Sequence, residues 1–168
     1  MDKIKRIDIE TKSKNSFIGC WSLENKKLMD DIVNFFNKNN QLHEVGKLVG
    51  GRIDRNVKDS IDMTIKPKTI KENKEYSLFM EYFNFLMSCY KDYQNQYSSL
   101  EIFSQLHMGP FNIQKYLIGG HFKKHHFERH DLATSHRLFA WMTYLNDIPN
   151  GQGETEFIYQ DLKISQQL

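Results

Sequence analysis

Residues 111–159 constrain this chain more than any other part. They hold, in order, an alternating run FNIQKYLIGG, a histidine-rich turn HFKKHHFERH, a long apolar run RLFAWMTYLND and a glycine-broken turn into GETEFIYQ. In the first run Phe111, Ile113 and Leu117, with Lys115 the one polar interruption, alternate with Asn112, Gln114 and Tyr116. That period of two predicts a strand with one mainly apolar and one polar face, ended by Gly119 and Gly120. Residues 138–145 are almost continuously apolar, the pattern of a strand buried on both faces. Asn146, Asp147, Pro149, Asn150, Gly151 and Gly153 supply turn chemistry. Residues 154–159 and 161–164 then read as two short strands.

What precedes this segment reads as its support. Residues 1–21 are mixed polar with an apolar close at Phe17, Ile18 and Cys20, consistent with a strand or arm. From Asn25, Leu28, Ile32 and Phe35, supplemented by Met29, Val33 and Phe36, recur at helical spacing, and Asn37, Asn39 and Asn40 mark the stop. Residues 45–68 read as a loop followed by a strand through Ile61, Met63 and Ile65. A second, longer helix carries Phe79, Phe83, Leu86, Tyr90, Tyr93 and Tyr97 as a stripe for packing against a sheet. Helices first and antiparallel strands after make an α+β arrangement. With 168 residues, 39% of them hydrophobic, one core and one domain over 1–168 are expected.

The totals exclude some classes of function. A net charge of +2, with basic residues interleaved among acids, argues against nucleic-acid binding. No apolar run approaches the roughly 18 residues a membrane helix requires, and MDKIKRIDIETK has no apolar signal-peptide core, so a cytoplasmic protein is expected. Cys20 and Cys89 lie far apart outside any CxxC pair, which suits reduced thiols used as small apolar groups.

The chemistry concentrates in one window. His121, His125, His126, His130 and His136, five of the seven histidines, fall there beside Glu128 and Asp131. Two imidazoles and one carboxylate with open positions are the usual provision for non-haem iron(II). In an extended segment His126 and Glu128 point to the same side and can share one ion, while Phe127 points away. Alone, this spacing arises often by chance. HFERH is not HExxH, so zinc-protease chemistry is set aside. Ser135 beside His136 lacks elbow glycines, so nucleophilic catalysis is poorly supported.

The order NIQKY, GG, HxE, an arginine-led apolar run ending in YLND, and a glycine turn into GETEF resembles the prolyl 4-hydroxylase-like branch of the 2-oxoglutarate- and iron(II)-dependent oxygenases. The likeness is densest over 112–164, with a looser likeness through FIGCW and KDSIDMTI. It implies N-terminal helices (22–98) packed on an incomplete double-stranded β-helix, or jelly roll, with strands over 108–165. It implies Fe(2+) held by His126 and Glu128, 2-oxoglutarate contacted by Tyr116 and Thr155, and ascorbate as a candidate reductant. The substrate would be a peptide, a protein or a small molecule. Arg137 and Asn146 also match, and are assigned to strand-end packing and the turn. His125, His130 and His136 are assigned to solvent or to supporting contacts.

Two departures bear on activity. Glu128 stands where aspartate is commoner. The family's remaining iron histidine and the basic residue that pairs with 2-oxoglutarate lie on later strands, and QDLKISQQL, the nine residues after Tyr159, holds neither histidine nor arginine. The expectation is therefore a chain truncated before the last ligand, a barrel completed by a second chain or by self-association, or a non-catalytic metal-binding or interaction module derived from the fold.

Overall fold

The computed structural model describes residues 4–11, 16–123, 129, 131–149 and 151–164. In chain order its strands and helices are β1 (Ile4–Ile7), β2 (Cys20–Leu23), α1 (Lys26–Lys38), β3 (Glu44–Val45), β4 (Lys58–Asp59), β5 (Ile61–Ile65), α2 (Pro67–Glu72), α3 (Leu78–Gln96), β6 (Phe111–Lys115), β7 (His121–Phe122), β8 (Thr155–Phe157) and β9 (Leu162–Ile164), joined by short 3-10 turns. The protein is mixed α and β, with small antiparallel sheets ordered β1-β2, β3-β5-β6, β4-β7 and β8-β9. No closed barrel is formed among the described residues. Nor, among them, is any helix long and apolar enough to cross a membrane.

The chain falls into two compact units, one of residues 1–34, 68–108 and 144–168, the other of 35–67 and 109–143. In the first, Asn25 caps α1, its side-chain oxygen accepting from the Leu28 amide at 3.0 Å. Leu28, Met29, Ile32, Ile70, Phe79, Tyr82, Phe85 and Cys89 are its buried apolar residues. Each large aliphatic or phenylalanine side chain so buried contributes about 1.5–3 kcal/mol. The sequence stripe on α3 is rotated in the fold. Phe79, Tyr82, Phe85 and Cys89 are buried, whereas Phe83, Leu86, Tyr90 and Tyr93 are only half-buried. Helix α2, which the sequence pattern did not predict, opens on Pro67. At the first helical position its fixed φ and missing N–H cost nothing.

Tyr93 and Tyr97 turn away from the buried face to hold the N-terminal hairpin. The Tyr93 hydroxyl donates to the Phe17 carbonyl at 2.8 Å, and the Phe17 ring lies 5.3 Å from that of Tyr97. Asp92 is the centre of this clamp. Its Oδ2 accepts from Arg6 Nη1 at 2.6 Å and from Trp21 Nε1 at 2.8 Å, with the Arg6 guanidinium 5.3 Å over the indole. Asp92→Ala removes both hydrogen bonds and is expected to cost about 1–3 kcal/mol, read as a lower urea midpoint at unchanged slope.

In the second unit β5 lies between β3 and β6, with Ile61 opposite Lys115, Met63 opposite Ile113 and Ile65 opposite Phe111. This confirms the alternation read in 111–115. Met63, Ile65 and Ile113 are buried with Phe35 and Phe36. The expected strand at 138–145 is not formed. Leu138 and Trp141 keep 41% of their surface and Met142 keeps 60%. An apolar run becomes a strand only where a neighbouring backbone takes its amides and carbonyls, and among the described residues no strand does so here. The two short strands expected after the glycine turn do form, as the β8-β9 hairpin with Thr155 opposite Ile164.

Candidate functional site

Residues 58–65 and 111–123 form an antiparallel ribbon whose two faces differ in chemistry. Ile61, Met63 and Ile65 share one face with Ile113 and Phe111. Ser60, Asp62 and Thr64 lie on the other with Asn112, Gln114 and Tyr116, following strand alternation through the pairs Asp62–Gln114 and Thr64–Asn112. The second face is joined by side chains. Thr64 Oγ1 donates to Asn112 Oδ1 at 2.9 Å. Lys58 Nζ donates to Asp62 Oδ2 at 2.6 Å, Ser60 Oγ to Asp62 Oδ1 at 2.7 Å, and Gln114 Nε2 to Asp62 Oδ2 at 3.3 Å.

Lys58 and Asp62 are only 4% and 6% exposed. A buried ion pair is sustainable only where the remaining donors and acceptors are also met, as they are here by Ser60, Gln114 and the Phe122 ring, 5.6 Å from Lys58 Nζ. Gly46 closes over the pair. A Cβ there would sit 2.2 Å from Ser60 Oγ and 3.1 Å from Lys58 Cε, so a larger residue would have to displace the Ser60 hydroxyl.

Tyr116 stands at the rim of this network. The ladder register jumps between Ile61–Lys115 and Asp59–His121, leaving four extra residues on the second strand around Tyr116, Leu117, Ile118, Gly119 and Gly120. Gly120 is obligatory there, since an added Cβ would lie 2.8 Å from the Asp59 carbonyl oxygen. Tyr116 keeps 41% of its surface, yet its hydroxyl is turned towards Gln114 Oε1, at 3.3 Å. Burial of that hydroxyl, and then the Asp62 charge, push its pKa up to about 12, so the phenol stays a neutral donor at ordinary pH.

Beyond the insertion the ribbon resumes. His121 pairs with Asp59 and Phe122 with Lys58, and the Lys123 amide donates to the Val57 carbonyl at 2.8 Å. The His121 ring nitrogens lie 3.0 Å from the Gly119 carbonyl oxygen and 3.1 Å from that of Asn56. His125, His126, Glu128 and His130 lie outside the described residues. Arg129 Nε donates to the Arg137 carbonyl at 2.5 Å, closing the loop between them. Within it the Asp131 carboxylate is committed to a turn, accepting from the Thr134 amide and hydroxyl, both at 2.9 Å. The Ser135 hydroxyl donates to the Leu132 carbonyl at 2.8 Å, and His136 is exposed. Among the described residues no group of three histidine, cysteine or acidic side chains is placed to hold a metal.

Thr155 belongs to the other unit, at the start of β8, where its hydroxyl lies 2.9 Å from that of Tyr144. Tyr144 also donates to the Gly153 carbonyl at 2.8 Å. Asn146 keeps its turn role, donating to the Asp147 carbonyl at 2.7 Å. Both cysteines are free thiols; burial raises the pKa of Cys20, and burial followed by the Asp92 charge lifts Cys89 to about 11, which leaves neither a ready nucleophile.

The sequence reading placed Tyr116 on the polar face and missed Lys58, Ser60 and Asp62. Their signal was present as Ser60, Asp62 and Thr64 at period two, opposite Ile61, Met63 and Ile65. No family model, no curated protein and no solved structure matches this chain.

Proposed function

We propose that this chain carries the first iron ligands of an iron(II)- and 2-oxoglutarate-dependent oxygenase of the prolyl 4-hydroxylase-like kind, its ribbon and hairpin being jelly-roll strands. The observation that carries the reading is the course of the ribbon. It places Tyr116 at the rim of a polar sheet face and is still laddered at Lys123, three residues before His126 in the sequence, so the candidate ligands His126 and Glu128 follow the same ribbon in chain order.

The donor set of the polar face suits an anionic cosubstrate. Its exposed groups are neutral hydroxyls and amides, and its buried carboxylate, Asp62, is already matched by Lys58. A second uncompensated negative charge is thus not imposed on the ligand. Bound iron(II) with 2-oxoglutarate and O₂ supplies oxidative decarboxylation and C–H hydroxylation. The chain's part is narrower. His126 and Glu128 hold the metal, the Tyr116 phenol donates a hydrogen bond to a carboxylate oxygen, and burial keeps that phenol protonated. Thr155 is assigned through the resemblance alone. The substrate is read as a peptide, protein or small molecule.

Anaerobic addition of iron(II) and 2-oxoglutarate to the full chain is expected to produce a weak visible charge-transfer band that requires both additions. No band, and no succinate in air, from this chain alone overturns the reading of an oxygenase active by itself and favours a fragment or a non-catalytic module.

A further inference from the structure

We propose that Asp62 is a positioning residue for Tyr116, acting through Gln114 to hold the phenol where it meets the cosubstrate. This rests on the reading of Tyr116 above. The need for such a device follows from the backbone. Tyr116 is the first residue after β6 and opens the insertion that leaves the ladder, so strand pairing does not fix it. Side chains must do so.

The Asp62 carboxylate is anchored first, by Lys58 at 2.6 Å and Ser60 at 2.7 Å, both from buried residues. It then accepts from Gln114 Nε2 at 3.3 Å. An amide has distinct ends, so committing Gln114 Nε2 to Asp62 turns Oε1 towards Tyr116, whose hydroxyl donates to it at 3.3 Å. The two links nearest Tyr116 are long and the two at the core are short. The phenol is therefore held in place by a bond that a ligand carboxylate can outcompete, since charge-assisted hydrogen bonds are shorter and stronger.

The test uses the full chain with 3-fluorotyrosine at position 116, read by ¹⁹F resonance alongside 2-oxoglutarate binding in the presence of iron(II). Gln114→Ala removes an exposed link. Lys58→Met/Asp62→Leu removes the acceptor that orients Gln114 without leaving a buried lysine unpaired. In both variants, with far-ultraviolet circular dichroism unchanged, the fluorine resonance is expected to move towards that of an unstructured tyrosine, and 2-oxoglutarate binding to weaken roughly 3- to 10-fold. An unmoved resonance in both folded variants overturns the proposal. A resonance that moves in a chain binding no 2-oxoglutarate upholds the link from Asp62 to Tyr116 and overturns the cosubstrate reading instead.

Discussion

Asp62→Ala is expected to lower the stability of the fold by about 3–5 kcal/mol, because it leaves the Lys58 ammonium buried without its counter-charge. Lys58 is 4% exposed and its Nζ lies 2.6 Å from the lost carboxylate. The same change strands the Ser60 hydroxyl, which donates to Asp62 at 2.7 Å. For a chain of this length the loss corresponds to a fall in Tm of about 10 °C or more. The control is Lys58→Met/Asp62→Leu, which removes both charges together. It is expected to regain most of the stability in urea denaturation, since an apolar pair of similar size avoids the desolvation cost. If the double variant is as unstable as the single, the cost lies in packing around Gly46 and not in the orphaned charge.

The second large effect concerns the metal. Removing a partner that merely orients a ligand typically costs about 10–100-fold in metal affinity. Loss of a ligand itself is therefore expected to cost at least about 100-fold, so His126→Ala should abolish iron(II) binding in the range where the unaltered chain saturates. The same substitution at His136, which is exposed, is expected to leave binding unchanged.

Much of this architecture was legible from local pattern, and its limits have physical causes. Helix α1 showed because its apolar residues recur at helical spacing and Asn25 and Asn39 stand at its ends, the latter donating to the Phe35 carbonyl at 2.9 Å. On α3 the existence of the helix was legible but not its facing. Aromatic residues ran down two adjoining stripes, and Tyr93 and Tyr97 serve the hairpin rather than the buried face. Strand β6 followed from alternation alone. Residues 138–145 misled because an apolar run reports a wish for burial and says nothing about a backbone partner. The Lys58–Asp62 pair was not legible because the strand was identified by its apolar residues Ile61, Met63 and Ile65, and alternation alone does not tell a buried polar face from a solvated one. Of the candidate site, Tyr116 could be placed on its face from sequence; His126 and Glu128 could be paired only by their spacing.

The most direct test of the oxygenase reading is a coupling measurement on those two residues. Iron(II) dissociation constants are to be determined anaerobically for the unaltered chain, His126→Ala, Glu128→Ala and the double variant. If both side chains hold one ion, each single substitution should lose nearly as much affinity as the double. Single variants that bind as tightly as the parent, or losses that simply add, would mean that the two residues do not share a metal.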